Sequence, residues 1–182
     1  MPYRLPRFDT ATLLVIDIQE RLMPAMWADD QPTVLKNVTN LALACSELGG
    51  QTVYSEQYPK GLGPTVAALT EALSGATRLE KTEFSVMKNS GAEGLTLSGN
   101  VILTGMETHV CVLLTGLDLI AAGHRVWVPF DAVASRRREY RDNGLSMLEK
   151  AGASVINTES LIFAALGEAG GERFKRFSAL MR

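Results

Sequence analysis

The sequence predicts an α/β fold, with a doubly wound and mostly parallel sheet of six strands and helices on both faces. Short apolar runs rich in Val and Ile alternate with longer segments of helical periodicity along the 182 residues. This pattern is typical of a parallel sheet covered by helices. The length suits one domain with a substantial core and is short for two, so residues 1–182 are expected to form a single domain.

The first strand is predicted over 12–18, and the first helix near Pro32. The run "TLLVIDI" is apolar up to Asp17, as expected for a strand that is buried on both faces. Pro32 suits the first turn of a helix, whose apolar residues are then spaced three and four apart until "GG" ends it. Cys45 falls on this apolar stripe, so we expect it to be a structural core residue.

Two further strands are predicted before residue 90. A second strand covers 51–57, and the turn sequence "YPKGLGP" then leads into a helix over 65–73. A weaker strand or extended segment covers 78–86. A short helix and a turn are expected within 90–99.

The second half of the chain repeats the alternation. Strands four, five and six are predicted at 100–106, 124–130 and 153–157, and a helical segment separates each strand from the next. The C-terminal helices are predicted to start near Thr158 and Gly171. Right-handed crossovers would join these strands into one sheet.

The composition excludes several classes of partner. The formal net charge is -2 and 21% of residues are charged, without the basic excess that binding to nucleic acid or to an anionic membrane needs. No apolar run approaches the ~20 residues of a membrane-spanning helix. Two cysteines and the lack of a charged-then-apolar leader favour a reducing compartment. We therefore expect a cytoplasmic protein that binds neither nucleic acid nor a membrane.

Chemically active residues stand at the ends of the predicted strands. In a doubly wound sheet the ligand crevice lies beyond the carboxyl ends of the strands. Asp17 closes strand one, Lys81 lies at or just past strand three, and Asp131 ends strand five. Cys111 follows strand four by one turn. A carboxylate, an amine and a thiol are therefore predicted at one edge of the sheet.

These three groups suit acyl transfer to water by a cysteine. With Thr108 as N-cap, Cys111 would occupy the third position of a helix, where the helix dipole favours a thiolate. Asp17 could accept the thiol proton, and Lys81 could hold both anions. Backbone N–H groups of the turn "GMETHVC" could stabilise the oxyanion formed when the thiolate attacks a carbonyl.

Other interpretations of the same residues stay open at this point. A cysteine at a strand-to-helix turn is also common as buried packing, and the charges of "LEKTE" around Lys81 could form surface pairs. Asp17 is harder to explain as a structural residue, because an uncompensated charge beside Val15 and Ile16 is costly and needs a partner or a function. His109 and His124 are interpreted as structural or exposed.

Three motifs together resemble the isochorismatase-like cysteine hydrolase superfamily. They are "LLVIDIQ", "KTEFSV" and "LTGMETHVCV", in this order and at these spacings. The stretches "SEQYPKGLGPTV" and "DAVASR" are similar to a subgroup of isochorismatase-domain proteins of unassigned substrate. The resemblance extends from about Thr12 to Phe163.

The resemblance implies a catalytic triad. The catalytic Asp, Lys and nucleophilic Cys of the superfamily match Asp17, Lys81 and Cys111. The resemblance also implies a cis peptide bond between Met106 and Glu107, in the turn that aims backbone N–H groups at the substrate oxygen.

Three more residues are assigned to the substrate pocket. Gln19 and Phe84 match family positions near the pocket, where they would contribute shape and orientation. Thr108, beside the nucleophile turn, is placed with them.

Two departures from the superfamily narrow the reaction. Members that hydrolyse nicotinamide carry a metal site built from an Asp and histidines after strand two, whereas this chain has "YSEQYPKGLG" there, without histidine. We therefore expect neither a metal nor another cofactor. Members that cleave the vinyl ether of isochorismate generally lack the nucleophilic cysteine, so its presence favours an amide, ureido or similar C–N substrate.

Three alternatives to an amidase are kept. A catalytically silent binding or scaffold protein would lack part of the triad, which is intact here. A vinyl ether hydrolase would not need Cys111. A redox-sensing thiol would need a resolving cysteine, and Cys45 on a core stripe is poorly placed for this.

A homo-oligomer, dimeric or larger, is also expected. Apolar and aromatic residues such as Trp27, Trp127 and Phe163 are more numerous than the strands need. The resemblance also implies an oligomer, because relatives assemble as dimers or larger.

Overall fold

The computed structural model describes residues 5–89, 91 and 94–181. It contains one sheet in the order β3-β2-β1-β4-β5-β7, and the short β6 pairs with the end of β4. Every pairing between these strands is parallel. The strands are β1 (Ala11–Ile16), β2 (Gln51–Gln57), β3 (Thr77–Lys81), β4 (Asn100–Met106), β5 (Arg125–Pro129), β6 (Val133–Ala134) and β7 (Ser154–Ile156).

Helices cover both faces of this sheet. On one face α1, α5 and α6 pack together, and on the other α3 packs against α4. The predicted three-layer α/β fold is therefore confirmed. The helices are α1 (Gln31–Glu47), α2 (Pro59–Leu62), α3 (Leu113–Ala121), α4 (Arg138–Ala151), α5 (Thr158–Leu166) and α6 (Gly171–Met181).

Strand β1 runs through the middle of the core. All six of its residues are buried. Leu13 and Val15 belong to the core under α1, α5 and α6, whereas Leu14 and Ile16 belong to the core under α3 and α4. Because alternate side chains of a strand point to opposite faces, a strand placed between two helical layers must be apolar throughout.

The first helix has the predicted boundaries, and Cys45 has the predicted structural role within it. Pro32 lies in its first turn, and Gly49, with φ of +79°, follows its last residues. Cys45 is fully buried, and its thiol donates to the Gln51 carbonyl oxygen at 3.3 Å. A side chain at Gly50 would lie 2.5 Å from the Cys45 sulfur, so this turn packs directly on the cysteine.

The helix predicted over 65–73 is wrong. Only Ala67–Leu69 forms a short 3-10 helix, and turns follow it. Thr65 instead pairs with Gln19 in an antiparallel bridge, and the Val66 N–H donates to the Ile18 carbonyl. These long-range hydrogen bonds hold 65–66 extended, so the local preference for a helix is overridden.

Strand β3 is shorter than predicted. It ends at Lys81, and the chain then bends until a 3-10 helix at Val86–Lys88. Strand β6 is a seventh, two-residue strand that the sequence prediction missed. Of the short helix and turn expected within 90–99, residues 90, 92 and 93 lie outside the described residues, and 95–98 have no regular structure.

The two C-terminal helices begin at Thr158 and Gly171, as predicted. No helix within the described residues is long and apolar enough to cross a membrane.

Candidate active site

Asp17, Lys81 and Cys111 come together at the carboxyl edge of the sheet. The Lys81 ammonium nitrogen lies 2.6 Å from Asp17 Oδ2, and neither side chain has solvent exposure. Cys111 is 6% exposed, and its pKa responds to the charges of both other residues. The alternative in which Lys81 forms surface pairs is therefore wrong.

Asp17 is held by backbone and side-chain contacts at the end of β1. Its φ of +51° turns the chain out of the strand, and its backbone N–H donates to the Ser55 carbonyl at 3.1 Å. The Ser55 hydroxyl donates to Asp17 Oδ1 at 2.7 Å. These bonds fix the carboxylate, while the positive φ is a conformation that a residue other than glycine rarely adopts.

Close packing of β4 on β1 brings the cysteine turn to Asp17. A side chain at Gly105, which has φ of +109°, would lie 2.1 Å from the Ile16 carbonyl oxygen. Only glycine fits at this point. The peptide bond between Met106 and Glu107 is cis, as the resemblance implies.

Cys111 lies in a π-helical turn, Thr108–Val112, that leads into α3. The expectation that Thr108 caps this turn is wrong, because its hydroxyl donates to the Ala134 carbonyl at 2.9 Å. The residue before the turn is Glu107, whose carbonyl oxygen accepts from the N–H groups of Val110 and Val112. Thr108 therefore anchors the turn to β6.

The expected lowering of the cysteine pKa is also wrong. Burial raises the pKa of the Cys111 thiol to about 12, the Asp17 charge adds to this rise, and Lys81 opposes it. A group in a low-dielectric site prefers its neutral form. The raised pKa favours the protonated thiol at neutral pH, so a reaction through the thiolate would require a base.

The Glu107 side chain binds different partners from its backbone carbonyl. Its carboxylate is 5% exposed and receives two hydrogen bonds from Arg136, each of 2.8 Å. His109 Nδ1 lies 3.0 Å from the Ser135 hydroxyl. Burial and Arg136 lower the pKa of His109, against the effect of Glu107, so the imidazole is neutral at pH 7. With Thr108, these contacts fasten the turn that contains Cys111 to residues 134–136.

The other predicted pocket residues have separate positions. Gln19 is fully buried, and its amide donates to the carbonyls of Gln57 and Gly63 at 3.0 and 2.7 Å. It therefore holds the loop after β2. The Phe84 ring is 57% exposed, while its carbonyl oxygen lies 3.3 Å from the Lys81 ammonium. Asp131 caps α5 instead of joining the cluster, through bonds to the N–H and hydroxyl of Thr158.

Sequence reasoning missed Ser55, Gln57 and Arg136. Each is an ordinary polar residue in the sequence, and a site role follows only from the strand pairing that brings it to the cluster. Arg136 is the last residue of the motif "DAVASR", but the motif does not indicate that Arg136 pairs with Glu107.

A cavity of about 390 Å³ adjoins this edge of the sheet. Among its lining residues are Tyr58 and Lys60 on one side and residues 80–83 on the other. Within residues 5–89, 91 and 94–181, no group of three or more His, Cys, Asp or Glu side chains could hold a metal ion.

Comparison with known proteins assigns the family. The family model described as Isochorismatase domain matches residues 11–160. Isochorismatase domain-containing protein 2 of Danio rerio is 35% identical over 175 residues, which cover 94% of this chain and 86% of that protein. The chain therefore belongs to the isochorismatase domain family.

Solved structures share the fold over nearly the whole chain. The MAR1 ribonuclease from Caenorhabditis elegans has a TM-score of 0.86 and 34% identity, covering 98% of this chain and 92% of its own. YcaC from Escherichia coli, titled an octameric hydrolase of unknown specificity, has a TM-score of 0.85 and 20% identity, covering 100% of this chain and 96% of its own. The second likeness is evidence of the fold alone.

Proposed function

We propose that this protein hydrolyses a small-molecule amide or related C–N acyl bond through a thioester on Cys111. The observation that carries the proposal is the buried cluster of Asp17, Lys81 and Cys111, delivered by three separate strand ends. A base, a cation and a thiol in contact with one another are what nucleophilic acyl transfer requires. The hydrolase character of the family supports the same reading.

In the first half of the reaction, Asp17 takes the thiol proton as the sulfur attacks the substrate carbonyl carbon. The C=O electron pair moves to oxygen, and backbone N–H groups of the turn 107–111 bind this oxyanion. When the carbonyl re-forms, the C–N bond breaks. The leaving nitrogen takes the proton from Asp17, and a Cys111 thioester remains.

In the second half, water replaces the amine. Asp17 takes one proton from the attacking water, and the oxygen adds to the thioester carbon. Collapse of this intermediate breaks the C–S bond, the proton returns to sulfur, and a carboxylic acid leaves. Asp17 therefore acts as base and then as acid in each half of the cycle.

The raised pKa of Cys111 is compatible with this cycle. Burial and the charge of the Asp17 carboxylate raise the pKa of the thiol to about 12. Transfer to Asp17 removes the carboxylate charge that helps raise the pKa and leaves Lys81 beside the new thiolate. Transfer of the proton to Asp17 therefore lowers the electrostatic cost of forming the thiolate.

The test is a substrate panel with purified protein. It contains primary amides, carbamoyl compounds, isochorismate and RNA, the last because a structural relative is named a ribonuclease. We expect turnover of an amide or carbamoyl compound, loss of turnover in Cys111→Ala, and an acyl adduct on Cys111 detected by mass spectrometry of a rapidly quenched reaction. Turnover is expected to survive exhaustive chelation.

Other outcomes of the panel decide against the amidase. Isochorismate turnover that survives Cys111→Ala would favour vinyl ether chemistry. Cleavage of RNA alone would favour a ribonuclease. Binding of a panel compound without turnover would favour a silent member.

We further propose a cytoplasmic homo-oligomer. Trp127 is 4% exposed and belongs to the core, so it does not support an oligomer. Trp27 is 41% exposed and does support one. Leu114 and Met147, at 40% and 44%, add exposed apolar surface on the adjoining helices α3 and α4. Light scattering at micromolar concentration should give a multiple of 19.7 kDa, and a single species at that mass would contradict the proposal.

A further inference from the structure

The Lys81 ammonium has three neighbours that accept hydrogen bonds. They are Asp17 Oδ2 at 2.6 Å, Gln57 Oε1 at 2.6 Å and the Phe84 carbonyl oxygen at 3.3 Å. An ammonium group has three N–H donors, so each donor has an acceptor. Gln57 approaches the ammonium as closely as the charged partner does, as expected when the donor is ionised.

The orientation of the Gln57 amide is fixed from its other end. Its Nε2 donates to the Thr82 carbonyl oxygen at 2.7 Å. A carbonyl can only accept, so the NH2 end must face Thr82 and the oxygen must face Lys81. Gln57 and Lys81 are also register partners at the ends of β2 and β3.

The backbone of Gln57 is fixed by the buried Gln19. Gln19 Nε2 donates to the Gln57 carbonyl at 3.0 Å, and Gln19 Oε1 accepts from the Gln57 N–H at 2.8 Å. Both the main chain and the side chain of Gln57 are thus held before they meet the ammonium.

A neutral acceptor is the suitable partner here. A second carboxylate beside Lys81 would give the cluster an excess negative charge, and like charge disfavours a thiolate. An apolar side chain would leave an N–H unpaired and free the ammonium to move. An amide holds the cation without reducing its charge.

We infer that Gln57 is a positioning residue, which holds the Lys81 ammonium in reach of both the Asp17 carboxylate and the Cys111 thiol. The inference rests on the proposed function only in that Lys81 supports the thiolate. It assigns Gln57 no contact with substrate.

The experiment measures the rate at which iodoacetamide alkylates Cys111, followed by peptide mass spectrometry at pH 8, and needs no substrate. In Gln57→Met we expect alkylation ~3- to 10-fold slower, because a displaced ammonium supports the thiolate less well. Gln51→Met is the matched control. Gln51 lies at the other end of the same strand and accepts one hydrogen bond from Thr12, at 3.0 Å, so its replacement should leave the rate within twofold.

A double-mutant cycle separates positioning from general loosening of the fold. Lys81→Met should itself slow alkylation, and adding Gln57→Met should then change the rate by less than twofold. A Gln57→Met rate within twofold of the parent, a faster rate, or an equal loss in both backgrounds would overturn the inference.

A second variant covers the case in which Gln57→Met does not fold. Gln57→Asn keeps a neutral amide, but its side chain is one methylene shorter and cannot span the 2.6 Å contact to Lys81, so alkylation should slow, and an unchanged rate would overturn the inference. The proposed function fails separately. If Cys111→Ala retains turnover while the Gln57 effect on alkylation persists, the hydrolase mechanism is wrong and the positioning role stands.

Discussion

Two buried carboxylates, each paired with a cation, lie near one another in this sheet and differ in their remaining capacity to accept hydrogen bonds. Glu56 in β2 is 2% exposed and accepts two hydrogen bonds from Thr65 and two from Arg78. Asp17 accepts from Ser55 on one oxygen and Lys81 on the other. The cation of the first pair is 44% exposed, and that of the second has no exposure.

The difference separates a structural clamp from the proposed reaction site. Burial would raise the pKa of Glu56, but the bonds from Arg78 and Thr65 outweigh it and the pKa is lowered, so this carboxylate is a poor base. Its partners fasten the loop after β2. Asp17 keeps acceptor capacity beside a protonated thiol, and water is excluded from the pair. Burial alone therefore does not identify a base. What distinguishes Asp17, the proposed base, is that its carboxylate can still accept a proton from the adjacent Cys111 thiol.

Replacing each carboxylate by its matching amide should give the largest difference between the two pairs. Asp17→Asn keeps the shape but cannot take the thiol proton, so turnover of any substrate found should fall by ~10² to 10⁴. Glu56→Gln should leave turnover within a few-fold and lower the free energy of unfolding by ~1 to 3 kcal/mol. Steady-state kinetics and urea unfolding of both variants check this. Equal losses of turnover would mean that the two pairs do not differ in kind.

Variants of the nucleophile should give the next largest effect. Cys111→Ala should leave only background turnover, and Asp17→Asn added to it should make little further difference, because the two act as one unit. Cys111→Ser should bind substrate but turn over very slowly, since an alkoxide is far harder to form than a thiolate with the same base. Calorimetric binding beside single-turnover kinetics tests this. Normal turnover by Cys111→Ala would exclude the covalent mechanism.

The thiol pKa predicts an inverse relation between turnover and alkylation. Because Asp17 helps raise the pKa of Cys111 to about 12, Asp17→Asn should lower that pKa and speed alkylation at pH 8 while turnover falls. Lys81→Met should raise the pKa and slow alkylation. Below the pKa, the rate in the parent protein should increase about tenfold per pH unit, as the thiolate fraction does.

Cys45 supplies the internal control for that experiment. Burial raises its pKa as well, and it is fully buried where Cys111 is 6% exposed. Peptide mapping should find label on Cys111 first in the folded protein. Faster labelling of Cys45, or slower labelling of Cys111 in Asp17→Asn, would contradict this account of the site.

The sequence was sufficient for the parts of the site that strand ends determine. Asp17 and Lys81 close parallel strands, and such ends share one edge of a sheet, so their proximity follows from the topology. The cysteine pKa could not be foreseen, because it is raised by burial and by the Asp17 charge, which depend on the tertiary structure. Thr108 looked like a cap because its hydroxyl partner, the Ala134 carbonyl, lies 26 residues away.

Long-range pairing also explains the fold errors. Residues 65–73 have a helical composition, but Thr65 is tied to Glu56 and Gln19 by contacts that no local window contains. The polar residues Ser55 and Gln57 on β2 were overlooked for the same reason. Their importance comes from Asp17 and Lys81 on the neighbouring strands.

The smallest expected effect is the acid sensitivity of the clamp. The Glu56 pKa is lowered from 4.5 in the folded protein, so the folded state binds fewer protons there than the unfolded chain. Its stabilisation is complete above pH ~4.5 and is lost as the pH falls through the folded pKa, with a slope of at most ~1.4 kcal/mol per pH unit for one proton. Urea midpoints at pH 7, 5, 4 and 3 should therefore fall more steeply for the parent than for Glu56→Gln, which cannot titrate. Parallel curves would show that the Arg78 and Thr65 bonds do not stabilise the charged form, and would contradict the description of this pair as a structural clamp.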